Sequence, residues 1–196
     1  MSFLDRIEEC DNAVAGDAYL PFTVAGTRVG WVHRDFAPQL DRFPDVFTRT
    51  GEGIGLSPNF TDYGARTAAV DAPLQVLDGE GYFAGWRDEA YPVGTGFHHT
   101  PLFEMERTAV PRFGVPAYGV HIHGFVRHGD DILLWIGKRA EDKPTYPGKL
   151  DQMVAGGQPV GLGLMENVIK EAGEEAAIPP DIAATAKPVG AISYTH

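Results

Sequence analysis

Three glutamates within five residues, Glu171, Glu174 and Glu175, are the side chains of this sequence best placed to do chemistry together. On an α-helix successive residues lie about 100° apart, so the three carboxylates fall within a fan of roughly 100°. Like charges at this spacing destabilise a bare helix by about a few tenths of a kcal/mol per pair. A hard divalent cation such as Mg²⁺, which prefers carboxylate oxygens, would remove that repulsion. The spacing therefore indicates either a solvated acidic face or a metal site.

The sequence around these glutamates predicts a helix over residues 163–177 that follows a glycine-containing loop. Apolar residues recur at helical spacing on the side opposite the acids and should pack against the protein; they are Met165, Val168, Ile169, Ala172 and Ala176. Gly156 and Gly157 lie ahead of the helix, and their missing side chains would let the backbone approach phosphate groups closely.

The stretch from Gly156 to Ile178 resembles the Nudix box, the family pattern G-x5-E-x7-R-E-U-x-E-E-x-G-U in which U is an aliphatic residue. Gly156 corresponds to the opening glycine. The later positions that match the pattern hold Glu171, Ala172, Glu174, Glu175 and Ile178.

Three positions depart from that pattern. Leu162 stands where the family has its first glutamate, Lys170 replaces the arginine, and Ala177 replaces the last glycine. We expect Glu166 to compensate in part for the missing glutamate, because Glu166 and Lys170 form an i,i+4 pair in the favourable order.

The resemblance implies a hydrolase that splits a diphosphate joined to another moiety, with Mg²⁺ or Mn²⁺ as the cofactor. In this sequence it implies that Glu171, Glu174 and Glu175 are the catalytic and metal-binding carboxylates, helped by the carbonyl of Ala155 or Gly156. The general base is left unassigned, with Glu171 or Glu174 as candidates. The expected substrate-binding residues are the two glycines and three nearby cations, namely Gly156, Gly157, Lys138, Arg139 and Lys149.

The wider pattern GGQP…EN..KE..EEA.IP resembles a subgroup of Nudix proteins that carry an extra N-terminal domain and are related to thiamin pyrophosphokinase. That resemblance implies thiamin diphosphate-like substrates. Two other readings stay open. Leu162 favours a catalytically silent module that binds or senses a ligand, and a metal-dependent isomerase on the same fold would rearrange its substrate without cleaving a phosphate bond.

The bulk composition restricts the partners. The 196 residues carry a net charge of −11 and contain no run rich in Lys and Arg, which argues against nucleic acid and anionic membranes as partners. No apolar run is long enough to span a membrane, and Cys10 is the single cysteine, a usage that suits a reducing compartment. We therefore expect a soluble, cytoplasmic protein whose partner is a small-molecule diphosphate; a homodimer is left open.

The proline and glycine content of residues 110–119 predicts a domain boundary. We expect an α+β fold with an N-terminal accessory domain at 1–115 and a Nudix-type α/β/α sandwich at 116–196. One hairpin, one helix and two further strands make a thin core for the second domain, so we expect this chain to be a truncated copy of a longer one.

Local patterns predict most of the remaining elements. Residues 2–13 form an amphipathic helix, and residues 18–34 form two strands around a turn at Ala25-Gly26. Asp35 should cap a short helix, and Pro73 should bend or split the helix over 62–77. The remaining expectations are a β-hairpin over 118–139 with Trp135 in the core, a strand at LDQMVA (150–155), a helical turn at PPDIAATA (179–186) and a final strand within 188–195.

Overall fold

The computed structural model describes residues 2–12, 16–142, 146–193 and 195. The chain divides into two compact units, residues 1–116 with 188–196, and residues 117–187. Helices and strands are mixed in both units, so the predicted α+β class is confirmed.

The first unit is built on a four-stranded sheet in which β1 and β4 are parallel neighbours and β2 and β3 form the edges. Ala25 and Gly26 turn the chain between β1 and β2 with φ values of 49° and 78°, the left-handed geometry of a tight hairpin turn, as predicted. The strands are β1 Tyr19–Val24, β2 Thr27–His33, β3 Phe47–Arg49 and β4 Ile54–Leu56. A separate antiparallel ribbon consists of β5 Ala90–Val93 and β6 Phe103–Glu106.

Four helices accompany these strands in the described part of the unit: α1 Phe3–Cys10, α2 Ala37–Leu40, α3 Tyr63–Gly79 and α4 Val110–Phe113. The predicted amphipathic α1 is present. The predicted cap Asp35 is wrong, because α2 starts one residue later, with Phe36 as its N-cap and no side-chain cap. Of the bend or split predicted at Pro73, the split is wrong, because α3 is one helix from Tyr63 to Gly79. The helix α3 continues through Pro73 because its buried neighbours, Val70, Leu74 and Leu77, hold that face in the core.

Aromatic rings fill the core of the first unit around Phe113, which is fully buried. Its ring centroid lies 5.1 Å from that of Phe22, 5.8 Å from that of Phe47 and 5.9 Å from that of Phe36. Edge-on and tilted ring pairs at these distances stabilise a core beyond the area that they bury. The single-turn helix α4 thus supplies the residue on which the sheet and α2 converge.

Outside residues 143–145, the second unit consists of small ladders and two helices. Strand β7, Gly119–Ile122, pairs antiparallel with β12, Val154–Gly157. The helices are α5 Leu164–Ala176, which matches the predicted helix, and α6 Pro180–Ala183, at the predicted helical turn. The remaining ladders join β8 Phe125–His128 to β9 Asp131–Leu134, and β10 Gly137–Lys138 to β11 Leu150–Asp151.

The predicted hairpin over 118–139 is only partly right. Strands β8 and β9 form its centre, but β7 leaves the hairpin to pair with β12, because the partner edge there is supplied by a distant segment. Trp135 is 61% exposed, so its predicted place in the core is wrong. The predicted strand LDQMVA is split between β11 and β12. The predicted final strand is absent from the described residues 188–193, and Tyr194 lies outside the described residues.

Few of the apolar residues described in the second unit are buried: Val120, Val154, Ala172 and Ala183. The large apolar side chains of the β8–β9 ribbon are exposed instead, namely Phe125, Val126, Ile132, Leu133 and Leu134. Among the described residues, no helix is long and apolar enough to cross a membrane.

Replacing Phe113 with Ala should lower the free energy of unfolding by about 3–5 kcal/mol, because the substitution empties the centre of the aromatic core. Phe3 is 94% exposed, and Phe3→Ala is the matched control, with an expected change within about 0.5 kcal/mol. Chemical denaturation followed by circular dichroism measures both. Equal effects of the two substitutions would contradict the assignment of Phe113 to the core.

Candidate active site

The helix α5 begins and ends at defined local signals. The Glu166 carboxylate accepts a hydrogen bond from the N–H of Gly163 at 2.8 Å, which fixes the first turn and places a negative charge at the positive end of the helix. At the other end Ala177 adopts φ 51°, and the N–H of Ile178 donates to the carbonyl of Ala172 at 3.0 Å. This left-handed conformation is the one that glycine adopts without strain, which explains the glycine of the family pattern.

Polar residues form the buried face of α5. Asn167 and Glu171 are buried beside Ala172, whereas Met165 and Ala176 of the predicted apolar stripe are exposed. The predicted packing stripe is therefore wrong except at its centre. The helix packs against the strand β12 through the Asn167 amide and the Glu171 carboxylate. A hydrophobic pattern does not reveal the hydrogen-bond partners that such buried polar groups need.

Glu171 packs directly against Gly156. The Glu171 side chain is only 11% exposed, and a Cβ atom added to Gly156 would overlap its carboxyl group. The helix and the strand can approach this closely because Gly156 has no side chain. The first of the two alternatives for these acids, a solvated face, is thus wrong for Glu171, while Glu174 and Glu175 are exposed.

The other two acids bind the neighbouring backbone and a lysine. The Glu175 Oε2 atom accepts a hydrogen bond from the N–H of Ala155 at 3.0 Å. Lys170 Nζ lies 2.9 Å from Glu171 Oε1 and 3.0 Å from Glu174 Oε2, and these hydrogen bonds raise the pKa of Lys170. The expected Glu166–Lys170 pair is wrong, because Glu166 binds the start of the helix instead.

The strand register places the backbone of Ala155 at the edge of β12 that faces away from β7. The N–H of Gln158 donates to the carbonyl of Tyr118 at 2.9 Å, and the groups of an antiparallel strand alternate between its two edges. The carbonyl of Ala155 therefore points to the same edge as its N–H, which Glu175 binds. Of the two expected carbonyl ligands, that of Ala155 lies at this edge, whereas that of Gly156 points towards β7.

The donor chemistry of this cluster fits a hard divalent cation. The second carboxylate oxygen of Glu171, Glu174 and Glu175 has no hydrogen-bond partner within the described part of the chain. Carboxylate oxygens together with a backbone carbonyl are ligands that Mg²⁺ and Mn²⁺ accept. In the arrangement seen here, across the same described residues, no three acidic, histidine or cysteine side chains converge on one point.

Two amide side chains that sequence reasoning missed hold the loop before α5. Asn167 Nδ2 donates to the carbonyl of Gly157 at 2.8 Å and to Gln158 Oε1 at 3.1 Å. Gln158 Nε2 in turn donates to the carbonyl of Leu162 at 2.5 Å. Within the described residues Asn167 Oδ1 is buried without a partner. The only signal in the sequence is an asparagine one helical turn before Glu171.

The three predicted basic residues lie at the β10–β11 ladder. Lys138 binds Glu141 at 2.9 Å, and Arg139 binds Asp151 at 2.8 Å. The Arg139 guanidinium lowers the pKa of Asp151. Lys149 is exposed, and its carbonyl accepts from the N–H of Arg139 at 2.9 Å. The structure therefore places the backbones of the three residues at one ladder, while the side chains of Lys138 and Arg139 pair with different carboxylates.

Comparison with known proteins gives a family for the chain. A family described as "Domain of unknown function (DUF4743)" matches residues 2–117, more than half of the sequence. The chain belongs to the DUF4743 family. The match covers nearly all of the first structural unit's main segment and none of α5.

The DUF4743 protein is also similar to longer proteins along nearly its whole length. Two Arabidopsis thaliana proteins, "Nudix hydrolase 24, chloroplastic" and "Nudix hydrolase 20, chloroplastic", are each 38% identical to it over 98% of its residues. An uncharacterised protein of Saccharomyces cerevisiae is 27% identical over 91% of the chain. The chain spans about half the length of these relatives, from 53% to 55%. The Arabidopsis relatives confirm the resemblance to Nudix hydrolases.

Gly156→Ala should lower the free energy of unfolding by about 1–3 kcal/mol, because the new methyl group overlaps the Glu171 carboxyl group. Gly173 in α5 has open space where its side chain would be, and Gly173→Ala should stabilise by about 0.5–1 kcal/mol. Urea denaturation compares the two. In the double variant Gly156→Ala, Glu171→Ala, the loss of stability should be smaller than the sum of the losses in the two single variants, because the overlap is removed. If the double variant loses the full sum, the contact between Gly156 and Glu171 is contradicted.

Ala177→Gly should stabilise the protein by about 1 kcal/mol, since glycine relieves the left-handed strain at φ 51°. Ala176 is exposed, directly precedes Ala177 and has a helical conformation, so Ala176→Gly should cost up to about 1 kcal/mol. Thermal unfolding of both variants checks the pair. A loss of stability in Ala177→Gly would refute the assigned helix end.

Proposed function

We propose that this protein is a divalent-metal-dependent hydrolase that cleaves the diphosphate bond of a small organic diphosphate and leaves a monophosphate. The observation that carries the proposal is the contact of α5 with β12: Glu175 binds the backbone of Ala155, and Glu171 packs on Gly156 and shares Lys170 with Glu174. The names of the Arabidopsis relatives support the same reaction class. A Nudix-type α/β/α sandwich containing residues 116–196 is part of this proposal.

The proposed metal is Mg²⁺ or Mn²⁺, held by Glu171, Glu174, Glu175 and the carbonyl of Ala155. When bound, such an ion lowers the pKa of a water molecule and neutralises charge on the phosphate oxygens. Glu171 is positioned for this role by its packing against Gly156, and Glu175 by the hydrogen bond that it accepts from the N–H of Ala155. The three carboxylates would also repel a diphosphate that arrived without a cation, so the acids themselves favour a metal-bound substrate.

The backbone and the basic residues have separate proposed roles. Gly156 and Gly157 let the main chain come close to the phosphates, and Asn167 holds the peptide that follows Gly157 in a fixed orientation. Lys138, Arg139 and Lys149 are proposed to bind the diphosphate. Lys138 and Arg139 would then exchange their present carboxylate partners for phosphate oxygens, which accept charge-assisted hydrogen bonds of the same kind.

Thiamin diphosphate and damaged forms of it are the proposed substrates. The resemblance of GGQP…EN..KE..EEA.IP to the thiamin-related subgroup supports them. The comparison that tests this choice measures phosphate release from thiamin diphosphate and an oxidised thiamin diphosphate. A nucleoside diphosphate sugar is the third substrate; its two products are monophosphates, so they are treated with alkaline phosphatase before phosphate is measured.

A second function is favoured by two observations. Leu162 stands at the first acidic position of the box, and Lys170 binds two of the three carboxylates. Both favour a catalytically silent module that binds a diphosphate without metal. Calorimetry separates the alternatives, because the silent module binds thiamin diphosphate equally well with Mg²⁺ and with a chelator.

Glu174→Gln should reduce metal-dependent phosphate release by about a hundredfold or more, because it removes a charged ligand and a candidate base. Glu166→Gln is the matched control on the same helix. It changes the charge equally but touches only the helix start, and it should retain most of the activity. Chelation of the metal should abolish turnover in every variant.

The assay uses colorimetric phosphate detection on the panel above, with Mg²⁺ and Mn²⁺ supplied separately. Turnover that survives in Glu174→Gln at the unsubstituted rate would disprove the proposed catalytic role. Absence of turnover with every diphosphate, together with metal-independent binding, would establish the silent module instead.

A further inference from the structure

The helix α1 of the first unit exposes its apolar side to solvent. Its sequence FLDRIEEC places Phe3, Leu4, Ile7 and Cys10 within a fan of about 120°, with the charged residues on the remaining sides. None of the eight residues of α1 is buried, and Phe3 and Leu4 are 94% and 67% exposed. A helix of two turns is marginal in water on its own, so its apolar side needs a surface to pack against.

The same unit contains an apolar groove of about 630 Å³ along one side of α3. Small or aliphatic residues of α3 line one wall and large apolar residues line the other; they include Ala68, Ala72 and Val76 on α3, and Phe43, Val46 and Phe60 opposite. Alanine side chains let a second helix come close to the α3 backbone. No residue of α1 is among those that line the groove.

The groove fits a short apolar helix in length and in charge. From Ala65 to Val76 the helix α3 rises about 16 Å, and α1 is about 12 Å long, at 1.5 Å per residue. The described lining includes two charged residues, Arg42 and Asp45, and Arg42 is already paired with Glu80 at 2.5 Å. An apolar helix side can therefore enter the groove without taking the Arg42 charge from its partner.

The chain's own α1 is held outside its own groove. Residues 16–18 are fixed to the end of β2, because the N–H of Arg34 donates to the carbonyl of Ala18 at 2.8 Å and the Arg34 guanidinium donates to that of Asp17. At the C-terminal end of α1, the Asp11 carboxylate accepts from the N–H of Thr195 at 3.0 Å. The groove and the helix are thus both open to another copy of the chain.

We propose that two copies of this chain form a two-fold dimer in which α1 of each copy packs its apolar side into the α3 groove of the other. Each copy supplies one helix and one groove, so the interface closes with two identical contacts. This reciprocal helix exchange involves no residue of the second unit and is independent of the proposed function.

The area of this interface sets the strength of the dimer. A buried phenylalanine removes about 150–250 Å² from water. With Leu4 and Ile7 beside Phe3, two contacts counted on both partners bury roughly 1,000–1,200 Å², at the low end for specific interfaces. We therefore expect a weak dimer that forms at about tens of micromolar protein, whereas more dilute protein is monomeric.

Sedimentation velocity over a concentration series of the full chain measures the dimer. Phe3→Asp places a charge on the apolar side of α1, and Ala72→Glu places one in the groove at an exposed helical position. Each substitution should weaken dimerisation by about tenfold or more. Phe97→Asp is the matched control, because it introduces the same charge at another exposed phenylalanine of the unit; it should dimerise like the unsubstituted protein.

Mixing the two defective variants tests whether helix and groove come from different copies. Phe3→Asp keeps an intact groove and Ala72→Glu keeps an intact α1, so a mixed pair regains one of the two contacts. The mixture, with one variant carrying a fluorescent label, should associate more tightly than either variant alone. Circular dichroism verifies that each variant is folded.

Four outcomes would overturn the reciprocal helix exchange. The first is an unsubstituted protein that stays monomeric across the series, and the second is a dimer that only one of the two substitutions weakens. The third is a mixture that associates no better than its components. The fourth is a dimer that survives Phe3→Asp and Ala72→Glu but is lost in Leu133→Asp, which would assign the interface to the β8–β9 ribbon.

Discussion

The contact between the Glu171 carboxylate and Gly156 is the interaction on which the candidate site depends. It sets the distance between α5 and β12, because any side chain at Gly156 would push the helix away. Two hydrogen bonds require that distance. One runs from the N–H of Ala155 to Glu175, and the other from the side-chain amide of Asn167 to the carbonyl of Gly157. A carboxylate in such a place costs free energy unless it is paired, and Lys170 supplies the pairing.

The two structural units obtain their order from different physical sources. The first unit has a core of large apolar and aromatic residues centred on Phe113, which is the ordinary basis of stability in a domain of this size. The second unit buries few apolar side chains and is organised by short ladders and by buried polar groups such as Asn167 and Glu171. Buried polar groups specify one arrangement when all are satisfied, and they cost more than apolar ones when they are not.

The sequence predicts well what local chemistry decides. The turn at Ala25-Gly26 and the helix α5 follow from residue preferences and periodicity alone. Partners far apart in the chain were not predictable in this way. Strand β7 pairs with β12, more than thirty residues away, although the alternating pattern of the nearer hairpin includes β7. Hydrophobic periodicity predicts apolar residues on the inward face of α5, because it takes no account of a glycine opposite a carboxylate. It also gives no sign of Asn167, since the hydrogen-bond partners of a buried amide lie elsewhere in the chain.

The outward-facing apolar side chains of the β8–β9 ribbon have a consequence for the protein in solution. A two-stranded ribbon with large apolar groups on its surface attracts similar surfaces on other molecules, and its unpaired strand edges are templates for further strands. The net charge of −11 keeps the molecules apart at low ionic strength. Added salt screens that repulsion and leaves the apolar attraction intact. The colloidal stability of this protein should therefore fall as salt rises, and dilute buffers should keep it dispersed.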